Sequence, residues 1–263
     1  MAELFREVVD RAKEVDRTYL MEHECKAILE SLGISTTGAE VARSKDEAVR
    51  IAESIGYPVV LKVMSPEVVH KSDAGGVRLD LKGPDEVRRA YLEMVEAFRE
   101  KEVVGIAVQE MASPGTEAIV GVTRDPTFGP ILMFGLGGIF VEILKDVSLR
   151  SIPITEFDAE EMIAGIKGHA LLEGYRSRSV DIPALKSLLL QISDLVMKHP
   201  EIAEMDLNPV FLYPDGYKVV DARIIIGDVP ETVEKAPPKI QDLHDLFYPK
   251  SIAVIGASGT KGK

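Results

Sequence analysis

Residues 56–81 read GYPVVLKVMSPEVVHKSDAGGVRLDL, and the lysine near the start of this stretch decides how the rest of the chain is read. Pro58 keeps the residue before it out of the helical region, so the apolar run Val59 to Val63 reads as a buried strand. Lys62 interrupts that run. An ammonium in such a position is costly unless an anion meets it or its stem carries it out to water. Beyond it, His70 to Val77 form a glycine-containing loop. Gly75 and Gly76 let backbone N–H groups approach phosphate oxygens, Lys71 adds charge, and His70 offers an imidazole nitrogen to a transferred phosphoryl group. Val77, Leu79 and Leu81 then alternate as a second strand. Taken alone, this stretch is equally compatible with an edge-strand lysine and an ordinary turn.

Upstream, Val8, Val9, Ala12, Val15, Leu20, Ala27 and Ile28 recur at threes and fours, which predicts helix to about Leu32 with Gly33 as its stop. Ser44 with Glu47 forms a capping box opening a helix that ends near Gly56. Downstream, Pro84 starts a helix with the face Val87, Ala90, Tyr91, Met94, Val95 and Phe98. Val103 to Val108 reads as a strand and 135–138 as a glycine loop. A second capping box is expected at 158–161, and a long helix from Asp181 to Met197. Helices and strands interleave without a strict βαβ repeat, so the fold class is α+β, built as two lobes. The expected bounds are 1–112 and 113–227 for the lobes, 228–249 for a linker rich in Pro, Glu and Lys, and 250–263 for the start of a further domain.

A second cluster lies around the hairpin expected at Pro214-Asp215-Gly216. Period-two alternation puts Asp206 and Asn208 on one face, and pairing around the turn brings Asp221 beside Asn208. Oxygen donors of this kind suit Mg²⁺, which holds a nucleotide's phosphates through one or two carboxylates. Solvated acids beside an Asn-Pro turn are the plain alternative.

The formal net charge of −12 argues against a nucleic-acid or anionic-membrane partner, while leaving room for a local phosphate site. No apolar run approaches ~20 residues, and the single cysteine, Cys25, excludes an intramolecular disulfide framework. A cytoplasmic protein is expected.

Several stretches together resemble one family. They are GYPVVLKV from Gly56, HKSDAGGV from His70, VQEM from Val108, RDPTFGPILMFGLGGIFVEILKDVSLR from Arg124, MDLNP from Met205 and VVDARI from Val219. All are similar to the ATP-grasp part of ADP-forming acetyl-CoA synthetases, with succinyl-CoA synthetase beta chains more distant. The terminal FYPKSIAVIGAS resembles the first strand of the Rossmann-like CoA-binding domain of the same family, as in a longer fusion. Ser177, after Gly174-Tyr175-Arg176, departs from the family's usual glycine.

The resemblance implies a nucleotide-binding subunit that transfers phosphate between phosphohistidine and ADP or ATP with Mg²⁺. Lys62 would hold the α- and β-phosphates, assisted by Lys71, Gly75, Gly76 and Arg124. Gln109, Glu110 and Met111 would face adenine, with Glu117 at or beside the ribose. Asn208 and Asp221 would coordinate Mg²⁺ with Asp206 at hand, and His70 would receive the phosphoryl group. The implied partner is a CoA-binding alpha subunit or domain in a hetero-oligomer, acting on acyl-CoA, phosphate and ADP. Two other functions remain open at this point: a nucleotide- or acyl-CoA-sensing module of a fused protein acetyltransferase, and an ATP-dependent carboxylate–amine ligase.

Overall fold

The computed structural model describes residues 2–65, 75–138, 141, 143–174, 179–228 and 247–251. His70, Lys71, Arg176, Ser177, most of the expected linker and the glycine-rich tail lie outside the described residues. Residues 1–229 form one compact unit and 230–263 a second. In chain order the first unit holds α1 (Ala2–Glu14), β1 (Tyr19–Leu20), α2 (Glu22–Ser31), β2 (Glu40–Ala42), α3 (Lys45–Ile55) and β3 (Val59–Met64). Next come β4 (Val77–Leu81), α4 (Pro84–Ala97), β5 (Gly105–Glu110), β6 (Thr116–Asp125), β7 (Gly129–Leu136) and β8 (Val147–Ser151). The last described elements are α5 (Glu156–Ala164), α6 (His169–Leu172), α7 (Ile182–Lys198), β9 (Ile202–Tyr213), β10 (Gly216–Val219) and β11 (Ala222–Ile226). Among the described residues no helix is long and apolar enough to cross a membrane.

The smaller sheet is antiparallel, in the order β2-β5-β3-β4. Ser44 caps α3 by accepting from the Glu47 N–H, as its capping box predicts. Val59, Leu61 and Val63 share one core with Ala48, Val87 and Met94 from α3 and α4. Because side chains alternate across a strand, Val60, Lys62, Ala107 and Gln109 face the other way. The expected alternation in β4 fails, since Leu79 is 61% exposed while Leu81 is buried. A register shift between Val59 and Leu61 and a left-handed Asp80 (φ 57°) interrupt the pleat there.

The larger sheet runs β1-β11-β9-β6-β7-β8, with β10 also paired to β9. Its apolar face is covered by α1, α2, α5 and α7 through residues such as Phe5, Ile28, Met162, Leu188 and Ile192. This corrects the sequence-based lobe bounds: α1, β1 and α2 bury their apolar stripe against the larger sheet. The expected single N-terminal helix is two helices, because Tyr19 and Leu20 leave it to pair with Ile225 and Ile224 at the sheet edge. Thr155 rather than Asp158 caps α5, its hydroxyl accepting from the Asp158 N–H while the Asp158 carboxylate accepts from the Thr155 N–H. Gly135 and Leu136 belong to β7 rather than to a loop. A Cβ on Gly135 would sit 2.7 Å from the Asp146 carbonyl oxygen, so the glycine permits the β7–β8 approach.

A comparable close approach holds β2 on β5. A Cβ at Gly105 would lie 2.6 Å from Val41 Cγ1 and 2.8 Å from the Ala42 carbonyl oxygen. Gly105→Val is therefore expected to destabilise the protein by about 1–3 kcal/mol, read as a lower urea midpoint. An unchanged midpoint would mean that β2 contributes little to the fold.

Candidate functional site

The two sheets meet at a row of buried charges. Lys62 projects from β3 on the face away from the smaller core, and its Nζ lies 2.6 Å from Glu22 Oε1 and 3.0 Å from Asp221 Oδ2. Glu22 opens α2, so a helix packed on the larger sheet supplies the anion that allows a lysine inside β3. The Lys62 ammonium is pulled down by burial and pushed up by the Glu22 and Asp221 carboxylates. The carboxylates prevail, and its pKa stands above the ordinary lysine value.

One helical turn further on, Lys26 Nζ reaches the same Glu22 Oε1 at 2.9 Å. It also donates to Thr37 Oγ1 at 2.7 Å and to Gln109 Oε1 at 2.6 Å. Burial outweighs Glu22 at Lys26, and its pKa lies below the ordinary value. Thr37 in turn donates to the Val220 carbonyl at 3.3 Å, and its N–H donates to the Val219 carbonyl at 3.0 Å. Gln109, Lys26, Glu22, Lys62 and Asp221 thus form one connected line from the smaller sheet to the larger.

The acidic hairpin assembles as expected in outline. β9 alternates buried and exposed, placing Glu204, Asp206 and Asn208 on its exposed face. Asp221 sits at the join between β10 and β11 rather than within the hairpin's second strand, and its carbonyl accepts from the Asn208 N–H at 3.2 Å. Its carboxylate is anchored by the Ala222 N–H at 2.8 Å. The Asp206 carboxyl is pushed up by burial and by Asp221, against the pull of Arg223. Among the described residues no group of three or more His, Cys, Asp or Glu could hold a metal by itself. What the sheet offers is one or two carboxylates and a neighbouring amide. That donor set fits Mg²⁺, which keeps several waters and completes its shell with phosphate oxygens.

The remaining candidates divide. Gly76 accepts from the Val63 N–H at 2.9 Å, which brings the glycine pair next to Lys62. Gly75 takes a positive φ of 70°, a conformation that favours glycine. Glu110 forms an ion pair with Lys218 of β10. Met111 is tied back to β3, its N–H donating to the Pro58 carbonyl at 3.1 Å. Glu117 pairs with Phe211 across the β6–β9 ladder, and its carbonyl accepts from the Gly137 N–H at 2.8 Å.

Arg124 is a correction. Its Nε donates to the Ile202 carbonyl at 2.8 Å and its Nη2 to the Pro200 carbonyl at 2.7 Å. Those bonds hold it at the start of β9, where it ties down the turn after α7 instead of facing Lys62.

Sequence reasoning missed Glu22, Lys26, Thr37 and Lys218. The signal for the first two was present. The buried positions of α2 are Glu22, Cys25, Lys26, Ile28 and Leu29, so a Glu and a Lys one turn apart occupy the apolar stripe of an amphipathic helix.

Comparison with known proteins bears on the family and the fold. The model of the ATP-grasp domain matches residues 11–226. An acetate–CoA ligase (ADP-forming) II of Archaeoglobus fulgidus is 48% identical over 93% of this chain, which spans about a third (35%) of that relative's length. The beta subunit of acetate–CoA ligase (ADP-forming) I of Pyrococcus furiosus is 46% identical over 84% of this chain and 97% of its own. A solved Ca. Korarchaeum cryptofilum acetyl-coenzyme A synthetase, in complex with coenzyme A and Mg-AMPPCP and with its phosphohistidine segment pointing towards the nucleotide binding site, superposes with a TM-score of 0.77. It is 50% identical to this chain and covers 84% of it and 99% of its own chain.

Proposed function

The chain belongs to the ATP-grasp family, and from that premise we propose that it is the nucleotide-binding part of an ADP-forming acyl-CoA synthetase, interconverting acyl-CoA, ADP and phosphate with carboxylic acid, ATP and CoA. The observation that carries the proposal is the meeting of Lys62 from one sheet with Asp221, beside Asn208, from the other. A cation for phosphate oxygens and oxygen donors for a divalent ion stand within one hydrogen bond of each other. The names of the relatives supply the reaction class.

In this reading the acyl phosphate forms on a CoA-binding partner, a separate subunit or another part of the same polypeptide, and the partner's histidine takes up the phosphoryl group. It passes next to His70 and finally to ADP held here. Lys62 binds the α- and β-phosphates, the Gly75–Gly76 backbone lies along them, and the segment from Gln109 to Met111 borders the base with Glu117 toward the ribose. Asn208 and Asp221 hold Mg²⁺, with Asp206 close by. The bound ion supplies charge neutralisation and in-line alignment of the phosphates. Phosphoryl transfer asks little else of the protein, so the row of charges between the two sheets is the part that matters: it sets Lys62 beside the oxygen donors that would hold the metal. A hetero-oligomer in a reducing cytoplasm fits the buried free thiol of Cys25 and the beta-subunit relative.

The test is ATP formation from acetyl-CoA, ADP and phosphate when this chain is mixed with a CoA-binding alpha subunit. The complete mixture is expected to turn over and the chain alone is not. Asp221→Asn should lower the rate by at least about 100-fold, since even outer partners of a bound metal are worth roughly 10–100-fold. ATP formation at the parental rate by this variant would reject the metal assignment.

A further inference from the structure

Lys62 faces a conflict in the function proposed above. Its ammonium must reach phosphate oxygens, yet it is held at 2.6 Å by a carboxylate on Glu22, a residue only 3% exposed. Asp221, its other anion, can turn to a divalent cation. Glu22 lies in the interior and needs positive charge after Lys62 has moved. Lys26 is built for that need: it is 0% exposed and meets the same Oε1 that Lys62 meets. Its remaining donors are taken by Thr37 and Gln109, which fix it in place. One lysine is therefore anchored on every side, while the other bridges to the open hairpin.

We propose that Lys26 is a positioning residue for nucleotide binding: by sharing the Glu22 carboxylate it weakens that carboxylate's hold on Lys62 and frees Lys62 for the phosphates. The inference rests on Lys62 being the phosphate ligand. Charge counting gives the mechanism. Among the described residues the row carries two ammoniums and two carboxylates. When the phosphates draw Lys62 and the metal draws Asp221, Lys26 and Glu22 remain as a balanced buried pair, and no carboxylate is stranded away from water. Without Lys26, moving Lys62 would strip Glu22 of the second ammonium as well, so Lys62 would stay on Glu22.

Equilibrium binding of MgADP and of adenosine to the full chain tests this, with thermal melting of each variant as a control for folding. Lys26→Met is expected to weaken MgADP binding by about tenfold, within the range of coupling between touching residues. Adding Glu22→Gln to Lys26→Met is expected to restore MgADP affinity to within about threefold of the parent, since the carboxylate that retains Lys62 is then gone. Loss of the Gln109 contact is common to both variants and cancels between them. Adenosine, which has no phosphate, should bind the single and double variants alike. Glu22→Gln alone, which keeps both lysines, should bind MgADP at least as tightly as the parent. Parental affinity in Lys26→Met, no recovery in the double variant, or weaker binding by Glu22→Gln would each overturn the proposal. Undiminished MgADP binding by Lys62→Met would instead remove the phosphate role of Lys62 on which it rests.

Discussion

Incubation with Mg²⁺ and ATP labelled in its γ-phosphate is expected to leave an acid-labile label on the protein, and His70→Ala is expected to reduce that label to background. The step balances simply: an imidazole nitrogen attacks the γ-phosphorus, a P–N bond forms, the bond to the bridging oxygen breaks, and ADP leaves. Geometry permits it. His70 lies six residues beyond Met64, the end of β3, and Lys62 lies two residues before Met64 on the same strand. At most ~3.6 Å per residue, the six residues from Met64 to His70 span up to about 20 Å, so chain length alone does not keep His70 from a phosphate held on Lys62. Addition of MgADP without ATP should discharge the label as ATP, the direction in which a synthetase making ATP would run. A label that survives His70→Ala would take His70 out of the mechanism. A label that forms normally but is not discharged by ADP would speak for a sensing module over a phosphoryl carrier.

How much of this was legible in the sequence depends on the range of the interaction involved. Strand β3, helix α3 with its Ser44 cap and helix α4 with Pro84 at its start follow from local rules, because backbone restriction and capping act within one turn. The alternation that sets Asp206 and Asn208 on one face of β9 is equally local. Lys62 announced itself as an ammonium in an apolar run, but nothing nearby in sequence says which anion it meets. Glu22 is forty residues away, on a helix whose stripe was read only for its apolar members. Arg124 shows the converse. The family resemblance implied a phosphate ligand there, whereas two backbone carbonyls more than seventy residues away satisfy it. The break at Thr18–Leu20 was hidden for a similar reason: the spacing of Val15 and Leu20 continues a helical pattern, and only the sheet edge offered by β11 draws Tyr19 and Leu20 out of it.

Lys62→Met should produce a double loss whose parts can be separated. In the free protein it removes the ammonium that Glu22 and Asp221 share; because Lys26 still meets Glu22 and Asp221 is part-exposed, the loss should be about 1–3 kcal/mol. Urea unfolding should show that loss at neutral pH. Its pH dependence has a definite sign. The folded-state pKa of Lys62 is raised, so its contribution is whole below the unfolded value of about 10.4 and fades only as pH rises through the folded value. The stability gap between parent and variant should accordingly be level from about pH 7 to 9. The second loss is in binding. A ligand at 100 times its Kd stabilises a protein by about 2.7 kcal/mol, so MgADP should raise the parent's melting temperature by several degrees. If Lys62 carries the phosphates, the variant's melting temperature should not respond to MgADP at the same concentration. A variant that is destabilised yet still gains the full increment from MgADP would show that Lys62 serves the junction between the sheets and leaves the phosphates to other groups.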